Sequence, residues 1–289
     1  MISTQSTDFF WSVRRRRYWR TCRRKYFLYY YAARGGFDLA SPQPVREFYA
    51  AKRLIPLAEF VRRIANFAMR ESFYAAQDDE APAETLELFP LAARRAEWEF
   101  SRMLANDNRV TLLELVAGEE SAGNVHHRML ALLDALCGEI TRNAWSALSN
   151  IPKCDRRPIE SPLELAIAEL KCFLVPVLAV RRAGEIWLLE NTASTDAGNE
   201  IAVLGKFAAA KLWGAPPQTV RSFVLAGDGA TFTEIGADAD VSEVLRGIRR
   251  DVEEMSQLIH ENGTVDEDDF PADASHCATC VFRFFCRQN

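Results

Sequence analysis

The chain has 289 residues, 48% of them hydrophobic and 26% charged, with a formal net charge of −5. That apolar content suffices for one sizeable core, with or without an inserted subdomain, and it excludes a disordered chain or a short-repeat solenoid. Overall acidity gives no global attraction to a polyanion, but the charge is uneven. From Ser12 to Lys25 there are eight basic residues and no acidic one, whereas Asp266, Glu267, Asp268, Asp269 and Asp273 form an acidic run near the other end. A local patch of this kind can hold a phosphate backbone on an acidic protein.

The first residues run into aromatic and arginine side chains without the apolar core and cleavage site of a secretory signal. The longest apolar stretch, Leu163 to Val180, is interrupted by Glu164, Glu169 and Lys171, so no membrane span is expected. The expected location is the cytoplasm. Seven cysteines there point to metal ligation or buried thiols rather than a disulfide framework.

In chain order, residues 9 to 33 read as one aromatic and basic helix ending at Gly35-Gly36, and residues 41 to 48, with Pro42 and Pro44, read as a loop. Residues 56 to 76 carry Leu57, Phe60, Val61, Ile64, Phe67 and Ala68 at helical spacing. Helical periodicity continues from Leu91 to Leu148, with a break at Gly118 to Gly123. At Ile151 the character changes. Lys171 to Arg182 and Glu185 to Thr192 are β-prone runs joined by Arg182-Ala183-Gly184, a hairpin signal. Asn199 to Trp213 reads as a helix, and Thr219 to Leu225 and Ala230 to Ile235 as further strands. Asp240 and Glu243 form a capping box for a last helix whose stripe is Val244, Leu245, Ile248, Val252, Met255 and Ile259. The expected fold is α/β with a small mixed sheet: a single domain over 1–289, divided into a helical subdomain (56–150), a sheet core (151–236), and a C-terminal helix and tail (237–289). No Gly-rich phosphate loop occurs.

The tail carries the sharpest signal. Cys277 and Cys280 are a C-x2-C pair and Cys286 follows after five residues, a spacing that lets one turn present several thiolates to one centre. Three cysteines leave a tetrahedral zinc site or a four-iron cluster one ligand short. Cys22, Cys137, Cys154 and Cys172 are candidates, with His260 and His276 as imidazole alternatives.

The run Trp11-Ser12-Val13 through Arg20-Thr21-Cys22-Arg23-Arg24-Lys25-Tyr26, followed by Tyr29-Tyr30-Tyr31 and Gly35-Gly36-Phe37, resembles the opening of RecB-like PD-(D/E)XK nucleases. Together with Phe270-Pro271 and the C-x2-C-x5-C ending, it is similar to the Cas4-like nucleases and the AddB nuclease domain. The resemblance implies a restriction-endonuclease-like core with a helical insertion. It also implies a [4Fe–4S] cluster on Cys22, Cys277, Cys280 and Cys286, stapling the first helix to the tail. Cys137, Cys154 and Cys172 would then be core thiols.

A nuclease of this type holds Mg²⁺ or Mn²⁺ on acidic oxygens and uses a lysine beside them. Aligned on the family pattern, Asn66 replaces the helix histidine, Arg62 a glycine, and Val177, in Val175-Pro176-Val177-Leu178, the first metal aspartate. Glu190 retains an acid, Thr192 replaces the lysine, and Val203 and Phe207 replace the later glutamine and tyrosine. A rescue would draw on Lys206 or Lys211 and on Glu160, Glu164 or Glu185. His126 and His127 read as surface or packing residues.

Arg14, Arg16, Arg17, Arg20, Arg23 and Arg24, interleaved with aromatic rings, are the candidate nucleic-acid contacts. Alternatively, they form a solvated face or pair with the acidic tail. The expectation is a catalytically degenerate cluster protein acting as a nucleic-acid-binding or scaffolding subunit, beside a nuclease or helicase in bacterial DNA processing or antiviral defence. The rivals are an active Mg²⁺- or Mn²⁺-dependent DNA nuclease around Glu190 and Lys206, and a protein-interaction module without DNA affinity.

Overall fold

A computed structural model describes residues 2–3, 9–75, 88–106, 110–118, 120–145, 148, 151–159, 162–167, 169–191, 197–225, 232–260 and 264–286. The fold is mixed α/β with small sheets. Thr192 and Glu160, two of the aligned or rescuing positions, lie outside the described residues.

The N-terminal segment is not one helix. After strands β1 (Ile2–Ser3) and β2 (Phe10–Ser12), helix α1 runs over Val13–Thr21 and α2 over Arg23–Phe27, continuing as a π-helical turn at Leu28–Ala32. Ser12 caps α1 by accepting the Arg15 N–H at 3.1 Å. The break falls on Cys22, whose backbone is extended at φ −161 and ψ 112. Its Sγ then accepts the Lys25 N–H at 3.4 Å and caps α2. Periodicity could not show this interruption, because both halves keep aromatic residues at helical spacing.

Helix α3 occupies Gln43–Lys52, where the prolines suggested a loop. Pro42 is its N-cap and Pro44 lies in the first turn, where backbone N–H groups lack intrahelical acceptors and proline costs little. Strand β3 (Leu54–Ile55) follows, then α4 (Leu57–Ala75), α5 (Leu88–Leu104), β4 (Thr111–Leu112), α6 (Leu113–Ala117) and α7 (Ala122–Ile140). Helices α4, α5 and α7 share one core through Phe60, Ile64, Ala96, Met129 and Leu133, as their apolar spacing dictates. His126 packs its ring on Phe100, with centroids 5.2 Å apart.

The sheet region contains β5 (Leu163–Ile167), β6 (Leu170–Leu174), β7 (Leu178–Arg182), β8 (Glu185–Asn191), α8 (Gly198–Trp213), β9 (Val220–Leu225) and β10 (Phe232–Ile235). Strands β5 and β6 form an antiparallel hairpin, and β2 adds to β6 in parallel, pairing Trp11 with Cys172. The apolar run is thus two strands with Val175, Pro176 and Val177 between them, rather than one strand from Lys171 to Arg182. The expected hairpin joins β7 to β8 through Ala183 and Gly184, both at positive φ, the geometry of a type I′ turn. Helix α8 crosses from β8 to the parallel strand β9, and β10 closes the order β10-β9-β8-β7. Gly205 lets α8 approach the sheet closely: a Cβ there would lie 2.8 Å from Ser222 Oγ and 2.9 Å from Leu188 Cδ1.

The last long helix, α9 (Val241–Ser256), is capped by Asp240, whose Oδ1 accepts the Ser242 and Glu243 N–H groups at 2.7 and 3.1 Å. Its buried stripe is Val244, Ile248, Asp251 and Met255. Strand β11 (Thr264–Val265) then pairs with β1. No helix among the described residues is long and apolar enough to cross a membrane.

Candidate metal centre and the aligned nuclease positions

Beyond Thr264–Val265 the tail has little regular structure, so its position depends on packing against α2. Phe270 is fully buried, with its ring 5.1 Å from that of Phe27 and 6.2 Å from that of Tyr26. Arg24 fastens the same segment. Its N–H donates to Pro271 O at 3.1 Å, its Nε donates to Phe270 O at 2.8 Å, and its guanidinium pairs with Glu267. The 3₁₀ turn Ala274–Thr279, capped by Asp273, then leads into a compact loop. Within it, Cys280 N donates to Cys277 O at 3.1 Å and Cys286 N to Phe282 O at 2.8 Å.

These contacts bring Cys22, Cys277, Cys280 and Cys286 to the wall of one cavity of about 40 Å³, which Lys25 and His276 also line. The volume exceeds that needed for one water, roughly 10–15 Å³. Cys280 is buried and the other three are half-buried. Burial raises the Cys280 and Cys286 thiol pKa values above the ordinary value, and the charges of Lys25 near Cys280 and Arg24 near Cys286 act in the opposite direction. Burial also lowers the Lys25 pKa, against the pull of Cys280 and Cys22. Among the described residues, no three His, Cys, Asp or Glu side chains converge closely enough to hold a single metal ion.

The other candidate ligands lie elsewhere. Cys137 is buried in the helical core and Cys172 on β6, where burial pushes their thiols up to about 12 and about 11. Cys154 is exposed, and His260 does not line the cavity.

On the sheet, Val177 donates its N–H to Leu189 O at 2.8 Å, which extends the β7–β8 register and sets Val177 beside Glu190 on the neighbouring strand. Ile186, Leu188 and Glu190 alternate onto the α8 side of β8. Glu190 is only partly buried as a residue, yet its Oε1 is sealed from solvent and has no hydrogen-bond partner among the described residues. The atom-level isolation is what governs its ionisation, and burial pushes its carboxyl up to about 8. Asn66 Oδ1 on α4 is also buried without a partner among the described residues. One turn later, Arg70 donates to Pro176 O at 3.3 Å and to Ile159 O at 2.9 Å, holding α4 against the approach to Val177.

Among the described residues, no ion pair joins Glu190 to Lys206. Lys211 Nζ donates to Glu164 O at 3.0 Å, and Glu164 pairs with Lys171 at 3.1 Å. Glu185, at the opposite end of β8, accepts from Trp187 Nε1 at 2.8 Å.

The basic residues of α1 and α2 are largely engaged. Arg14 pairs with Glu59 at 3.7 Å, and Arg16 Nη1 with Glu200 at 2.7 Å. Arg16 Nε lies 3.2 Å from Asp251 Oδ2, close enough for charge attraction but not directed as a hydrogen bond. Arg20 pairs with Asp251 and, at 3.9 Å, with Glu254. Arg17 and Arg23 remain exposed, lying over Tyr18 at 5.8 Å and Trp19 at 4.4 Å, without a carboxylate partner among the described residues. Sequence reading missed Asp251, which is 3% exposed and also accepts from Trp11 Nε1 at 3.4 Å. Its only signal was an acid at the i+3 position of an apolar stripe. Arg15 also escaped notice: it is buried, with Nε donating to Tyr26 Oη at 3.0 Å and its guanidinium 3.9 Å from the Phe9 ring centroid.

Comparison with known protein families, curated proteins and solved structures finds no match to the chain.

Proposed function

We propose that the chain is a degenerate, RecB-like PD-(D/E)XK protein that carries a [4Fe–4S] cluster on Cys22, Cys277, Cys280 and Cys286. It acts as a nucleic-acid-binding or scaffolding subunit of a DNA-processing or antiviral-defence complex. The observation that carries this reading is the meeting of those four cysteines, from opposite ends of the chain, around one cavity. An all-thiol donor set suits iron–sulfur or zinc rather than a hard cation. When bound, the cluster supplies a one-electron redox centre and a cross-link between α2 and the tail.

Loss of cleavage is supported at the β8 strand. Val177 cannot ligate, and Glu190 Oε1 has no hydrogen-bond partner among the described residues. One carboxylate is a poor site for Mg²⁺ or Mn²⁺. The exposed Arg17 and Arg23, which have no carboxylate partner among the described residues, support contact with nucleic-acid phosphates more than the ion-paired arginines do.

Anaerobically purified protein should contain about four iron and four sulfide per chain, the stoichiometry of a four-cysteine cubane. It should bind single-stranded DNA in a salt-dependent manner without cutting it in Mg²⁺ or Mn²⁺. Binding should fall in the double variant Arg17→Glu, Arg23→Glu. Cleavage abolished by Glu190→Ala would replace this reading with an active nuclease. Stoichiometric zinc in place of iron would remove the cluster. Absence of DNA binding would leave a protein-interaction module.

A further inference from the structure

Besides its sulfurs, the cysteine cavity has a cation built into its wall. Lys25 is half-buried, lines the same space as all four cysteines, and holds its Nζ 4.5 Å from the centroid of the Tyr18 ring. Beyond the thiols, the charges that act on it are Arg17 and Glu59, and Glu59 pairs with Arg14. The neighbouring cations are differently engaged. Arg24 is tied to Glu267 and Phe270 O, and Arg283 lies over the exposed Phe284 ring at 4.7 Å. His276 and Asp273 lie on the exposed rim. Lys25 also donates its backbone N–H to Cys22 Sγ at 3.4 Å, so its side chain leaves from the turn that carries a ligand sulfur.

We propose that Lys25 sets the reduction potential of the cluster, an inference that rests on the cluster reading above. Reduction adds one electron to the centre and requires no proton, so it increases the negative charge inside the cavity. A cation fixed at the wall stabilises that added charge, and partial burial limits its screening by solvent and salt. Net charge and hydrogen bonds to sulfur are the levers by which a protein tunes such centres. Lys25 supplies both, one from its side chain and one from its backbone. Side-chain substitution leaves the backbone hydrogen bond in place and isolates the effect of charge. Lys25 is thus a positioning and tuning residue, not a ligand.

The test is an equilibrium redox titration of the full-length, cluster-loaded protein, with dithionite as electron donor and mediator dyes. Wild type, Lys25→Arg, Lys25→Met and Lys25→Glu are compared, with iron per chain measured in each. The midpoint should follow side-chain charge: Arg close to wild type, Met lower, Glu lowest. The Met variant should shift down by about 59 mV, a tenfold change in a one-electron equilibrium. If Lys25→Glu fails to load iron, Lys25→Gln replaces it, and the two neutral side chains must then give the same lowered midpoint despite their different shapes. Equal midpoints at equal iron content, or shifts that ignore charge, overturn the assignment while leaving the cluster intact. Zinc in the wild-type protein overturns the cluster reading and this inference together.

Discussion

At one end of the molecule, four cysteines around a cavity keep the residue types that a soft-metal centre needs. Just before β7, on β8 and on α4, the positions aligned with a hard-cation site instead carry Val177, Glu190 and Asn66. The cysteine region is assembled from segments more than two hundred residues apart, and its tail has little regular structure of its own. The β8 region is the reverse. Sheet hydrogen bonds and the close approach of α8 at Gly205 hold it whether or not any ligand is present. The difference teaches that a sheet keeps its backbone whatever side chains it carries, whereas an irregular tail keeps its place only while something anchors it.

The sharpest way to break this comparison is Cys22→Ser. If the cluster staples the ends, its loss should release a constraint on a very long loop, about 5 kcal/mol on the loop-closure scale. Thermal unfolding should shift to lower temperature with loss of visible absorbance, while Cys154→Ser leaves both unchanged. Equal stability of the two variants would mean that packing alone holds the tail.

Asp251→Ala tests the junction between α9 and α1. Asp251 joins α9 to α1 through Arg16, Arg20 and Trp11. Removing a buried carboxylate that takes charge-assisted hydrogen bonds typically costs about 1.5–3 kcal/mol, and Arg16 and Arg20 keep Glu200 and Glu254 as partners. Denaturant unfolding reads the loss. A cost well below that range would show that the arginines find water or other acids instead.

The last effect concerns Glu190, is small per pH unit and builds up only across a range of pH. Its carboxyl has an ordinary value of 4.5 and is raised by burial to about 8. The folded state therefore binds more protons than the unfolded state between those values. Stability from the neutral form is complete below about pH 4.5 and is lost as pH rises towards 8, by at most about 1.4 kcal/mol per pH unit. Glu190→Gln should flatten this slope and stabilise the protein at pH 8. A slope unchanged by the substitution would show that Glu190 is solvated or bound to a cation.

The one-dimensional signals were strongest where a local rule sufficed. The Asp240 cap and the turn at Ala183-Gly184 each involve residues within a few positions, and each takes the expected form in the chain. The β5–β6 hairpin was hidden inside an apolar run, because two buried strands differ from one only in where the chain reverses. Helix α3 was masked by Pro42 and Pro44, which mark a helix start as readily as a loop.

Composition and spacing established an α/β chain with a cysteine-rich end, and a resemblance suggested which distant cysteine completes the set. Tertiary packing was needed to bring Cys22 to the cavity and send Cys137 and Cys172 into separate cores. It also split the first helix at Cys22, gave the α1 arginines their acidic partners, and placed Lys25 among the thiols. The reason is range. Caps, turns and metal-binding pairs are local in sequence, whereas burial, ion pairing and the fourth wall of a cavity depend on residues that only folding brings together.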